Sequence, residues 1–189
     1  MIKTFTAAAA AALLWSGASV AAPTAYTIES SHTYPSFEAP HMGISFWRGK
    51  FNKTSGSVEL DEAAKTGSVD ITIDATSVDF GHDKMNEHAK GDDFFNVAKY
   101  PTVAYKGKLV YTGATPSAVD GEMTLLGVTK PLKLKINSFK CITHPMLKKE
   151  VCGADAEGDF NRADFGMTKY ADGDAGKVKL RIQVEALKN

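Results

Sequence analysis

The sequence predicts an all-β protein of about eight antiparallel strands. Three observations carry this reading. Apolar and polar residues alternate at period two in several segments, each clear segment keeps one polar face, and turn-forming Gly, Asp, Asn and Pro separate the segments. Strands of a doubly wound parallel sheet are apolar on both faces, so that class is excluded and antiparallel pairing is favoured.

The first segment stands apart. Met1 to Ala22 carries one cation, Lys3, then an uncharged run of 11 residues from Phe5 to Trp15, then small residues. A bilayer span needs about 20 apolar residues, so this reads as a secretory signal peptide and not an anchor. Ser19-Val20-Ala21 favours cleavage after Ala21, and no cysteine near the cut invites lipidation. The folded domain is then expected over residues 23–189.

Strand candidates follow in order: Ala25 to Ile28, Tyr34 to Met42 and Ser55 to Leu60. Next, Val69, Ile71, Ile73 and Ala75 oppose Asp70, Thr72 and Asp74, one dry face and one wet. The segment His82 to Phe95 lacks alternation and sets Asp and Glu ahead of basic residues, which predicts one or two short helical turns. Strands resume at Thr102 to Tyr111 and Ala118 to Leu125. Leu132, Leu134 and Ile136 alternate with Lys133 and Lys135; Asp155 to Met167 is read as one strand; and Val178, Leu180, Ile182 and Val184 alternate with Lys179, Arg181 and Gln183. With no repeat and no long linker, one domain is the simplest organisation. Such strands close into either a sandwich or a barrel, and the alternation alone does not choose.

Composition narrows the partners. Twenty-two basic and 22 acidic residues leave no net charge, so nothing draws the chain as a whole to nucleic acid. A chain of this size buries roughly 70% of its unfolded surface and folds without staples. Cys141 and Cys152 therefore need another account: ten residues lie between them, the signal segment points to an oxidising compartment, and a disulfide tying a late loop is expected. Metal and catalytic readings find little support. His32 and His41 are nine apart and fall on opposite faces of a regular strand; His82 and His88 are six apart, unlike a helical i, i+4 pair. Ser45 sits in Gly43-Ile44-Ser45-Phe46-Trp47, which is not Gly-x-Ser-x-Gly, and no triad can be assembled. Arg162 and Asp164 share a strand parity and are expected to form a surface ion pair. No metal, no cofactor and no enzymatic activity are expected.

The segment His32 to Asp61 resembles the opening of the YceI-like family of secreted bacterial lipid-binding proteins. Within it stand His32, Phe37, His41, Gly43, Ser45, Gly49 and Phe51. The resemblance continues through Thr76-Ser77-Val78-Asp79, His88 and the run Asp93 to Pro101. It ends with Gly121, Leu125, Gly127-Val128-Thr129-Lys130-Pro131 and Asn161-Arg162-Ala163-Asp164-Phe165-Gly166-Met167. One departure is Ala89-Lys90-Gly91 after His88, where many relatives have Leu-Arg-Ser.

The resemblance implies an eight-stranded antiparallel lipocalin-like barrel with a short helical insert, located in the periplasm. Its elongated cavity would hold an isoprenoid, such as a polyprenyl phosphate or quinone, or a similar long-chain lipid. The expected lining comes from inward strand residues: Phe37, Phe46, Phe51, Val69, Ile71 and Ile73 in the first half, and Val103, Tyr105, Met123, Leu125, Phe165 and Met167 in the second. Phe94-Phe95 is expected to pack the insert against the barrel. The partner is then a hydrophobic small molecule, with transient membrane contact for loading. A homodimer is compatible with the pattern, which marks no surface for it. The alternative is a structural or interaction β-protein whose interior is filled.

Overall fold

The computed structural model describes residues 22–189, so the proposed signal segment lies outside the described residues except for Ala22. Eleven strand segments form one continuous antiparallel sheet that closes on itself. Six of them are the halves of three interrupted strands. β1 (Thr24–Ile28) continues into β2 (Tyr34–His41), β3 (Ser45–Phe51) into β4 (Thr54–Asp61), and β5 (Thr66–Asp74) into β6 (Val78–Asp79). The other five are β7 (Thr102–Thr112), β8 (Thr115–Leu125), β9 (Val128–Thr143), β10 (Glu150–Asn161) and β11 (Lys177–Lys188). The ring β1-β4-β5-β7-β8-β9-β10-β11 closes where Tyr26, Thr27 and Ile28 pair with Lys188, Leu187 and Ala186. Eight long strands thus make the barrel, and the sandwich is excluded.

The interruptions are satisfied locally. Between β1 and β2 the chain makes a 3-10 turn at Ser30–His32, at whose start Glu29 N still donates to Glu185 O of β11 at 2.9 Å. The buried Thr33 side chain completes the junction: its Oγ1 donates to Glu185 O at 3.1 Å and accepts from Glu185 N at 3.1 Å. Between β5 and β6, Asp74 Oδ1 accepts from Thr76 N at 2.9 Å and holds a second 3-10 turn. Each break bends its strand while keeping backbone groups paired, as burial requires.

The segment between β6 and β7 supplies the only α-helix among the described residues, α1 (Asp83–Lys90). His82 caps it, Nδ1 accepting from Met85 N at 3.2 Å. Asn86 fixes it to the sheet, its Oδ1 accepting from Phe80 N at 2.7 Å. After the helix, Phe95 drops between Phe37 and Phe51, with ring centroids 6.1 and 5.4 Å away. The predicted insert is present, and Phe95 packs it onto the barrel.

Two sequence expectations are corrected. Asp155 to Met167 is not one strand: β10 ends at Asn161, whose side chain accepts from Ala163 N at 3.0 Å and caps a 3-10 turn over Arg162–Phe165. Ser45–Phe51, unassigned in the sequence, is a full strand. Its alternation is hidden because Gly49 takes one inward position, where any Cβ would lie 2.7 Å from the Phe37 ring.

Candidate functional site

The barrel interior is not filled. An apolar cavity of about 810 Å³ runs along it, within the range of roughly 300–1,000 Å³ found for ligand sites. Its far end is sealed by Tyr26, Leu60, Cys152 and Ala186, all buried together in one cluster. Tyr26 reaches past this plug and donates to Glu150 Oε1 at 2.7 Å. Burial and the neighbouring Glu150 push the Tyr26 hydroxyl pKa upward, so it remains a donor. At the opposite end the lining includes the exposed side chains of Met42, Tyr170 and Asp172, and there the cavity meets solvent.

The walls come from period-two strands. Val69, Ile71 and Ile73 of β5 face inward with Val103 and Tyr105 of β7 and Met123 and Leu125 of β8. Tyr105 is the main polar intrusion at mid-wall. Its ring lies across β8 so that the hydroxyl donates to Leu132 O of β9 at 2.9 Å. Only glycine at 121 permits this, since a Cβ there would lie 2.6 Å from the tyrosine hydroxyl oxygen. Burial, aided by Asp120, raises the Tyr105 pKa, and the hydroxyl stays protonated. One buried hydroxyl, Thr54 Oγ1, has no partner among the described residues.

Ten of the twelve residues expected to line the cavity do so: Phe37, Phe51, Val69, Ile71, Ile73, Val103, Tyr105, Met123, Leu125 and Met167. Two do not. Phe46 is 52% exposed because β3 points Trp47, Gly49 and Phe51 inward, and Phe46 has the opposite parity. Phe165 is 2% exposed, but it sits on the 3-10 turn after β10 and packs against Phe160 at 5.4 Å, outside the cavity wall. Residues missed include Leu132, Leu134, Ala156, Leu180 and Ile182 from the late strands and Trp47, His41 and His88 near the opening. The alternation of β9 and β11 could have supplied Leu132, Leu134, Leu180 and Ile182.

Arg162 is placed differently from expectation. It forms no ion pair with Asp164; it is buried, lines the cavity, and lies over the Phe94 ring with its guanidinium carbon 5.8 Å from the centroid. The strand ends one residue earlier, at Asn161, so shared strand parity does not apply. Phe94 in turn stacks edge-on with His88 at 4.9 Å. The two loops at the opening are tied by an ion pair, Lys169 Nζ to Asp93 Oδ2 at 2.9 Å.

Cys141 and Cys152 are directly opposed on β9 and β10 and form a disulfide. The bond clamps the hairpin below the sealed end, where His144 Nδ1 accepts from Met146 N at 3.2 Å and Leu147 N at 3.1 Å to shape the turn. No group of three or more His, Cys, Asp or Glu able to hold a metal occurs among the described residues.

A closed antiparallel barrel around an apolar, one-ended cavity defines a lipocalin-like binding protein. Comparison with known proteins gives its family: residues 26–186 match the YceI-like domain, and the chain belongs to the YceI-like family. It is 32% identical over 179 residues to Protein YceI of Escherichia coli O6:H1, covering 94% of this chain and 93% of that one. The YCEI protein of Campylobacter jejuni superposes with a TM-score of 0.64 at 28% identity, over 79% of this chain and 90% of the other. Two more distant structures share the fold. BcnA of Burkholderia cenocepacia has a TM-score of 0.67 at 21% identity, covering 84% of this chain and 98% of its own. A polyisoprenoid binding domain from Saccharophagus degradans has a TM-score of 0.64 at 14% identity, covering 88% and 99%.

Proposed function

We propose that the protein is a non-enzymatic periplasmic carrier for an isoprenoid or similar long-chain lipid, held by its tail inside the barrel. The observation that carries this reading is the cavity itself, about 810 Å³, walled by aliphatic and aromatic side chains and open at one end. Each methylene moved there from water contributes about 0.8 kcal/mol, so a few isoprene units offset the immobilisation of a flexible chain. The described polyisoprenoid binding domain from Saccharophagus degradans, which shares the fold, supports the choice of ligand class. The disulfide suits an oxidising compartment, and the N-terminal segment supplies the route to it.

Loading occurs at the open end. The β2–β3 hairpin there exposes Met42 and Ile44, each 80% accessible, with Phe46 beside them. These apolar side chains would enter a bilayer surface and set the opening against the lipid, so that the tail passes without crossing water. Native protein extracted with organic solvent should yield a prenyl-type or other long-chain lipid near one per barrel by mass spectrometry. Protein that is empty as isolated and takes up neither a prenol nor a quinone overturns the carrier reading.

A further inference from the structure

Arg162 poses a problem that the tail-binding cavity does not explain. It is 7% exposed and has no carboxylate within 4.0 Å among the described residues. Among the described residues the guanidinium's only hydrogen bonds go to backbone carbonyls: Nη1 donates to Met167 O at 3.1 Å and Nη2 to Tyr170 O at 2.7 Å. A guanidinium carries five N–H groups, so most are left over. Burial depresses its pKa with no acidic neighbour to offset the effect, yet an arginine stays charged. A buried cation is retained at a cost unless an anion completes it. The carboxylates nearby do not: Asp164 is unpaired with it, Asp93 is taken by Lys169, and Asp172 lines the opening from the solvent side.

Its location says what could. The guanidinium lines the cavity at the open end, beside Phe94, while the apolar walls extend away toward Tyr26 and Cys152. A tail threaded inward would leave its polar end here. We propose that Arg162 is the head-group subsite of this cavity and selects amphiphiles ending in an oxyanion, a phosphate or carboxylate, over the corresponding alcohols. The two backbone hydrogen bonds hold the guanidinium in place in advance and leave three of its N–H groups for the oxygens of an anion. His41 and His88, which also line this end, add ring N–H groups within the same opening.

This rests on the carrier reading, and one set of titrations separates the two. Trp47 lines the cavity and reports binding by its fluorescence. Geranylgeranyl phosphate, geranylgeraniol, a long-chain fatty acid and inorganic phosphate alone are titrated into the wild-type protein and into Arg162→Gln and Arg162→Lys. Wild type should bind the phosphate and the fatty acid at least about tenfold more tightly than the alcohol, about 1.4 kcal/mol. In Arg162→Gln the ratio of phosphate to alcohol affinity should fall to near one; Arg162→Lys should keep part of the preference. Equal wild-type affinity for phosphate and alcohol overturns the Arg162 assignment and leaves the carrier reading standing. A preference that survives loss of the guanidinium overturns it too. Inorganic phosphate binding as tightly as the lipid assigns the site to the free ion and overturns the head-group role. If no lipid binds, both readings fall. Should Arg162→Gln fail to fold, because it ties down Met167 and Tyr170, the wild-type comparison and Arg162→Lys still decide.

Discussion

Replacing Ala156 by phenylalanine distinguishes a real cavity from a packed core. Ala156 is buried on β10, opposite Ile182 and Ile136, and faces the interior. In a filled barrel a phenyl ring there would overpack and cost about 1–3 kcal/mol. Here about 810 Å³ is free, and a benzene ring is accommodated in about 150 Å³, roughly a fifth of it. The ring should therefore be tolerated or mildly stabilising through its own burial. The ligand bears the cost. A phenyl group displaces about three methylenes of tail, each worth about 0.8 kcal/mol, so binding should weaken by about 2.5 kcal/mol, or roughly 60-fold. Thermal denaturation and titration of geranylgeraniol measure the two sides. A fall in Tm of about 4 °C or more, the scale of overpacking in a chain this long, refutes the open cavity. Unchanged affinity with unchanged Tm refutes a tail lying along β10.

Three further outcomes are expected. Gly121→Ala should displace the Tyr105 ring and break its bond to Leu132 O, destabilising the fold by about 1–3 kcal/mol, whereas Tyr105→Phe should cost only about 0.5–1.5 kcal/mol; urea titration checks the order. Removing the disulfide with Cys141→Ser and Cys152→Ser should cost up to about 3 kcal/mol by loop-closure entropy, read as a lower denaturation midpoint with the barrel's circular dichroism retained. Hydrogen bonds from Tyr26 and Lys188 hold the Glu150 carboxyl below the ordinary range. Its stabilisation is therefore present above the unfolded pKa and lost as pH falls through the folded value. Glu150→Gln should reduce the drop in Tm between pH 7 and pH 3 by well under about 1 kcal/mol equivalent, because the site is partly exposed; an unchanged or larger drop contradicts the pairing.

Regular strands made the wall legible from sequence. Val69, Ile71 and Ile73, and Val178, Leu180, Ile182 and Val184, point inward because a side-chain period of two leaves no other face for them. The same rule, applied strictly, would have separated Phe46 from Phe51, which are five residues apart and cannot share a face of a regular strand. What was hidden lies where the period fails. Asn161 captures Ala163 N and turns the chain, which lifts Phe165 out of the wall and turns Arg162 from a surface ion-pair candidate into a buried charge at the opening. The cavity volume was equally hidden: alternation describes which side is dry, but whether the dry sides meet depends on the closure of a ring of eight long strands.

That ring has a single keystone in the order of the chain. β11, formed from Lys177–Lys188, is hydrogen-bonded to β10 on one side and to both β1 and β2 on the other. Tyr26 thus waits for a partner 162 positions later, at Lys188. Contacts this remote in sequence form late and slow the search for the native state. Until the last dozen residues dock, β10, β1 and β2 all present open edges with apolar inner faces, the arrangement that templates aggregation. A chain shortened by this one strand should therefore precipitate and not survive as a looser barrel.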